Sequence, residues 1–265
     1  MKTLFRLVLV IGVLVAYLLF WPVPIEPIAW TPSVDPGYVG LYQANDKMAA
    51  AEYIDLPAGE YGPEDIAVGS DGLLYTAVHS GKILRIDPAT SRTETFADTG
   101  GRPLGIEFDG NGTLWVADAF RGLLMVSGEG DVELITAETD DCPPILYADD
   151  LDIAPDGRVY FSDASTRFGA KQGGDTLSAS LLDLTEHIPN GRVLVYDPAT
   201  GSTTLFADGL SFANGVALTA DGDALLVNET GTYSVHRYSL IPASYGERVT
   251  LIDNLPGFPD NVNRM

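Results

Sequence analysis

Tyr147 to Asp163 reads YADDLDIAPDGRVYFSD. A short apolar segment runs into Asp156-Gly157, and an aromatic segment, RVYFSD, runs out of it. Aspartate or asparagine before glycine is a strong hairpin signal, because both residues tolerate positive φ. The same phrase recurs outward in both directions. GPEDIAVGSDGLLYTAV begins at Gly62, RPLGIEFDGNGTLWVAD at Arg102 and FANGVALTADGDALLVNE at Phe212, with turns at Asp71-Gly72, Asn111-Gly112 and Asp221-Gly222. A third strand follows at Lys82–Asp87 and Arg192–Asp197, each closed by Asp-Pro-Ala-Thr, and a fourth at Thr93–Phe96 and Thr203–Phe206. Four short antiparallel strands per unit, at a spacing of roughly 40 to 65 residues, predict the blades of a β-propeller. About four units fit before Pro259 and a fifth begins at Asp260. Closure is what protects the edge strands of a propeller, so the pattern predicts an incomplete one. Residues 166–190 interrupt the third unit and predict an insertion loop with one helical turn around Ser180 to Glu186.

The unit starts align as Pro63-Glu64-Asp65-Ile66, Pro103-Leu104-Gly105-Ile106, Ala148-Asp149-Asp150-Leu151, Ala213-Asn214-Gly215-Val216 and Pro259-Asp260-Asn261-Val262. Innermost strands line a propeller's central channel, so equivalent positions at their entry face one axis. Glu64, Asp149, Asn214 and Asp260 put oxygen ligands there, and Asn261 adds another. Like charges gathered in one place repel and are costly to desolvate, and a divalent cation relieves both. An oxygen-only set fits Ca2+, with Mg2+ demanding tighter geometry; without thiolates or histidines it does not fit zinc or copper. The alternative is that these residues cap turns before strands.

The amino terminus is different in kind. Lys2 and Arg6 precede LVLVIGVLVAYLLFW, Leu7 to Trp21, and WPVPIEPIAWTP follows without a small-x-small cleavage pattern. Apolarity on every side, proline exits at Pro22 and Pro24, and Trp21 and Trp30 at headgroup level predict an uncleaved membrane helix; a cleaved signal peptide is the alternative. The division expected is an anchor at 1–22, a linker and propeller entry at 23–61, and the propeller at 62–265. The positive charges place the amino terminus in the cytoplasm and the propeller on the periplasmic, lumenal or extracellular side. With 37 acidic and 15 basic residues the formal charge is −22, which argues against nucleic acid or an anionic lipid surface as partner. The single cysteine, Cys142, reads as structural. His79, His187 and His236 fall at unrelated repeat positions and read as surface or loop residues, and Glu229 with Arg237 reads as a blade-stabilising pair.

GPEDIAV, YADDLDIAPDGRVYFSDAS, GRVLVYDPATG, FANGVAL and GFPDN resemble the strictosidine-synthase-like branch of the six-bladed propeller superfamily, which also holds paraoxonases and regucalcin-like gluconolactonases. The resemblance implies a calcium in the central tunnel, held at the positions of Glu64, Asp149, Asn214, Asp260 and Asn261. Asp149 departs from the asparagine usual there, and Leu104 stands where paraoxonases carry a base histidine. In gluconolactonase-like enzymes the residue matching Asp260 is both ligand and base. The expectation is therefore a calcium-dependent hydrolase of lactones or aryl esters, on a small-molecule substrate, with Asp260 as general base. The alternatives are a non-catalytic, metal-stabilised binding propeller and a condensing enzyme of the strictosidine type.

Overall fold

A computed structural model describes residues 2–35 and 37–263. Arg264 and Met265, within the expected propeller unit, lie outside the described residues. The helix α1 (Lys2–Phe20) has 19 residues and is exposed throughout. With a mean hydropathy of 2.5 it is long and apolar enough to cross a membrane.

Four antiparallel four-stranded sheets follow, each in sequential strand order. The first holds β1 (Ile66–Val68), β2 (Leu74–Ala77), β3 (Lys82–Ile86) and β4 (Thr93–Asp98). The second holds β5 (Pro103–Phe108), β6 (Leu114–Asp118), β7 (Gly122–Val126) and β8 (Val132–Thr136). The third holds β9 (Ala148–Ile153), β10 (Val159–Asp163), β11 (Gly191–Asp197) and β12 (Ser202–Leu210). The fourth holds β13 (Ala213–Leu218), β14 (Ala224–Glu229), β15 (Ser234–Ser239) and β16 (Arg248–Ile252). The first strands neighbour one another in turn, β1 on β5, β5 on β9 and β9 on β13. This is the arrangement of propeller blades around an axis.

Alternation along the strands sends one apolar set into each gap between sheets. Tyr75 and Ile83 meet Ile106 and Val116 between the first and second. Trp115 and Leu123 meet Leu151 and Phe161 between the second and third. Tyr160 and Val193 meet Val216 and Leu225 between the third and fourth. Cys142 packs half-buried against the second of these clusters. A side chain such as Phe161, 0% exposed, contributes about 1.5–3 kcal/mol by burial. The Asx turns set the hairpins: Asp71 Oδ1 accepts from Leu73 N at 3.0 Å, Asp156 Oδ1 from Arg158 N at 3.2 Å and Asp221 Oδ1 from Asp223 N at 3.1 Å.

Buried carboxylates connect the innermost strands. Asp65 Oδ2 accepts from Ile106 N at 3.1 Å, Asp150 Oδ2 from Val216 N at 2.8 Å and Asp152 Oδ2 from Leu218 N at 2.7 Å. Each joins one sheet to the next, where no ladder can. In the second and fourth sheets the third position of the unit start is glycine, for reasons of space. A Cβ on Gly105 would stand 2.6 Å from the Asp150 Cα, and one on Gly215 would stand 2.4 Å from the Asp260 carbonyl oxygen.

Residues 259–263 are not strand; they run between the fourth sheet and the first. The Asp260 carbonyl accepts from Gly215 N at 3.2 Å and from Asn228 Nδ2. On the other side Asn261 Nδ2 donates to the Glu64 carbonyl at 2.8 Å and Asn263 Nδ2 to Asp65 Oδ1 at 2.8 Å.

The insertion holds more helix than expected: α2 (Ala170–Gly173) and α3 (Thr176–Glu186), three turns instead of one. Asp175 caps α3 by accepting from Ser178 N at 2.6 Å. The buried face of α3 carries Asp183 and Glu186 beside Ala179, so a hydrophobic period is hidden. Glu229 also pairs otherwise than expected. His236 Nε2 lies 2.6 Å from Glu229 Oε2, and both are buried. Successive strand residues face opposite ways, so His236, not Arg237, shares the face of Glu229.

Replacing Asp150 with alanine strands the buried Val216 N–H. We expect a loss of about 2–4 kcal/mol in urea unfolding, with faster hydrogen exchange at the Val216 amide than in the wild type. Unchanged exchange there would exclude this inter-sheet role.

Candidate functional site

The second strands of the last three sheets end in acids: Asp118, Asp163 and Glu229. Each turns back to hold the entry of its own first strand. Asp118 Oδ1 accepts from Arg102 N at 3.0 Å, Asp163 Oδ1 from Tyr147 N at 2.8 Å and Glu229 Oε1 from Ser211 N at 2.8 Å. Sequence reasoning missed this role, although the strand endings WVAD, YFSD and LVNE display it. Three entries are held this way, and the second residue of each of the five unit starts lies at the same end of the first strands. Glu64, Leu104, Asp149, Asn214 and Asp260 all line a single cavity of about 300 Å3.

Within it Asn214 Nδ2 donates to Asp260 Oδ1 at 2.7 Å, and Arg102 lies 3.3 Å from Glu64 Oε2. Asp149 and Asn214 are buried, Glu64 is half-buried and Asp260 is exposed. Burial pushes the Asp149 carboxyl well above the ordinary aspartate range; Glu64 and Asp260 push it further, and Arg102 opposes them. Burial likewise raises Glu64, with Arg102 lowering it and Asp260 raising it. Asn261 does not line the cavity. Its amide nitrogen is spent on the Glu64 carbonyl.

Whether these residues suit a cation is answered by their unspent oxygens. Asn214 Oδ1 and Asn261 Oδ1 are buried and have no hydrogen-bond partner. Each amide has given its N–H to a protein acceptor and keeps an acceptor oxygen free. Burying such an atom unpaired costs about 1–3 kcal/mol, which an oxygen-seeking cation would offset. Among the described residues no three of His, Cys, Asp and Glu form a ligand cluster on their own. The donor set is therefore carboxylates mixed with amide oxygens, which suits a hard ion such as Ca2+.

The walls were not legible in the sequence. Tyr147 and Phe212 stack edge to face at 5.4 Å. The Tyr147 hydroxyl donates to the Thr176 carbonyl at 3.0 Å, tying the floor to the start of α3. Phe212 holds a φ of 60°, a conformation that costs a bulky residue energy; the Glu229 bond to Ser211 N fixes it from one side. Leu177, Ser180 and Leu184 of α3 roof the cavity, and Thr230 and Phe258 complete it.

The family model for strictosidine synthase matches residues 149–243, and that for the strictosidine synthase-like amino-terminal region matches 40–86. The adipocyte plasma membrane-associated protein of Salmo salar is 35% identical over 257 residues, which are 91% of this chain and 60% of that protein. Strictosidine synthase-like protein 6 of Arabidopsis thaliana is 39% identical over 207 residues, 76% of this chain and 53% of that protein. The chain thus spans between 53% and 60% of the length of these two relatives. A gluconolactonase of Xanthomonas campestris superposes with a TM-score of 0.62 at 19% identity, over 76% of this chain and 65% of its own. A calcium-binding regucalcin of Agrobacterium tumefaciens gives 0.57 at 15% identity, over 78% and 67%. At these identities the two structures show the fold.

The raised Asp149 has a consequence for stability. Between the ordinary aspartate value, about 3.9, and its raised value, the folded state binds more protons than the unfolded one. Stability is therefore fully present below that window and is lost as pH rises through it. In EDTA, Asp149→Asn should melt a few degrees above the wild type at about pH 7, with the gap closing toward about pH 4. A gap independent of pH would show that Asp149 carries no such strain.

Proposed function

We propose, from the premise that this chain belongs to the strictosidine synthase-like family, that it is a membrane-anchored, calcium-dependent hydrolase of lactones or aryl esters. The observation that carries this reading is the single cavity holding Glu64, Asp149, Asn214 and Asp260, with the Asn214 amide oxygen buried and unspent. The gluconolactonase that shares the fold supports it. Glu64, Asp149, Asn214 and Asp260 would hold the ion, with the unspent Asn261 Oδ1 as a further donor and its Nδ2 fixing the Glu64 carbonyl from behind. When bound, Ca2+ supplies Lewis acidity for the substrate carbonyl.

The chain's own residues do the rest. Asp260 is the most exposed of the carboxylates, and Asn214 Nδ2 fixes its Oδ1. As general base it takes a proton from water while the water oxygen bonds to the acyl carbon. The acyl C–O bond then breaks, and the proton returns to the departing oxygen. Leu104 offers no proton relay on this cavity, which leaves the transfer to Asp260. Tyr147 and Phe212 exclude water from one wall. The apolar α1 serves as the membrane anchor, with the propeller on the non-cytoplasmic side.

The match to the strictosidine synthase model over 149–243 favours a second reading, condensation of an amine with an aldehyde. One experiment separates the two. The full chain in detergent is titrated with calcium and assayed on lactones, aryl esters and an amine–aldehyde pair. Hydrolysis that needs calcium, and that Asp260→Ala lowers about 10²–10⁴-fold, is the expected result. Condensation without hydrolysis would replace the proposal. A calcium-dependent rise in melting temperature with no turnover would leave a structural ion in a binding propeller.

A further inference from the structure

The segment after the anchor does not hang free. Glu26 N donates to Glu186 Oε1 at 2.7 Å and Ile28 N to the Glu186 carbonyl at 3.0 Å. Arg167 pairs with the same carboxylate at 3.0 Å. Trp30 lies 4.5 Å from the His187 ring and 6.0 Å from Tyr233, and Asn254 Nδ2 donates to the Val34 carbonyl at 2.9 Å. Residues 26–34 are thus a strap laid against the C-terminal end of α3, the helix that roofs the cavity.

The strap sets a distance. From Phe20, the end of α1, to Glu26 are six residues, at most roughly 20 Å when extended. Pro22 and Pro24 favour an extended course. The Glu186 end of α3 is therefore held close above the bilayer that contains α1.

That same face is apolar. Leu177, at the rim of the cavity, is 67% exposed, and Leu181, one helical turn on, is 55% exposed. Around Leu184, further along the same helix, stand Ile28 at 47%, Trp30 at 41% and Phe258 at 56%. A hollow of about 280 Å3 lies under the strap, lined mainly by Ile28, Trp30, Leu184, Tyr233 and Phe258, with Thr185 and His187 as its polar side chains. It shares Leu184 and Phe258 with the candidate site. Leu184 and Phe258 therefore give an apolar passage between the candidate oxygen donors and the strap.

We propose that the α3–strap face rests on the bilayer surface and that the cavity takes amphiphilic lactones or esters from the membrane interface. The polar head reaches the oxygen ligands, and the apolar chain passes Leu184 and Phe258 into the hollow under Ile28 and Trp30. The contact is apolar in character: leucine and tryptophan enter the headgroup boundary, and a chain of formal charge −22 gains nothing from anionic lipid. The substrate half of this inference rests on the hydrolase reading above; the orientation rests on the anchor.

The test uses the full chain reconstituted in phosphatidylcholine vesicles. A fluorophore is placed at Leu181→Cys, and separately at Asn111→Cys, in a Cys142→Ser background. Asn111 sits in the hairpin at the far end of β5 from Leu104. Doxyl lipid should quench the label at 181 about threefold more than the label at 111, with the difference unchanged when phosphatidylserine is added. Equal quenching overturns the orientation, whether or not any ester is hydrolysed. Turnover is then compared between a bilayer-borne long-chain lactone and a water-soluble short one. Leu181→Asp should raise KM about tenfold for the first and leave the second unchanged. Equal effects on both substrates overturn the interfacial route, while absence of all turnover rejects the hydrolase reading alone.

Discussion

The molecule depends on carboxylates that reach across gaps no β-ladder can bridge. Neighbouring sheets meet through side chains, so the first strand of each sheet has main-chain N–H groups turned to its neighbour with no strand to receive them. Asp65, Asp150 and Asp152 supply the acceptors. A buried N–H left unpaired costs more than most single contacts return, so these three bonds hold the first sheet against the second and the third against the fourth. The glycines at the alternate unit starts are the other half of the constraint, since they leave room for the neighbour to come that close.

The same segment builds the site. Asp150 and Asp152 point toward the fourth sheet, and Asp149, one residue earlier where the β9–β10 register shifts, lines the cavity. Fold and site are thus read from adjacent letters of one motif, and their electrostatics conflict. Asp149 sits buried beside Glu64 and Asp260, with Arg102 as an opposing charge. Such an arrangement is strained as it stands, and a divalent cation would relieve it.

This explains what the sequence made legible. Asp-Gly turns repeat at a fixed place, and the residue types at the unit starts survive from repeat to repeat, so hairpins and the gathering of Glu64, Asp149, Asn214 and Asp260 around one cavity could be anticipated. Asn261 was less transparent: its place in the motif suggested an oxygen donor, and the sequence did not show that its amide nitrogen also supports the Glu64 backbone. The α3 helix was hidden because Asp183 and Glu186 occupy its buried face, where a period would be sought in apolar residues. The Glu229–His236 pair needed the β14–β15 register, which sets Val227 opposite His236 and Leu226 opposite Arg237. The strap could not be read at all. Its hydrogen bonds join Glu26 to a residue 160 positions away, and a single chain offers no local pattern for that.

The roof of the cavity and its floor have different origins. The floor belongs to the repeats, fixed by bonds that hold the sheets in place. The roof is an excursion between β10 and β11, and none of the inter-sheet bonds made by Asp65, Asp150 and Asp152 passes through it. Selection can therefore lengthen, shorten or rewrite residues 166–190 and change which molecules are admitted while the scaffold keeps its shape. Cavities of different shape can in this way diverge at the roof while the basin beneath stays the same.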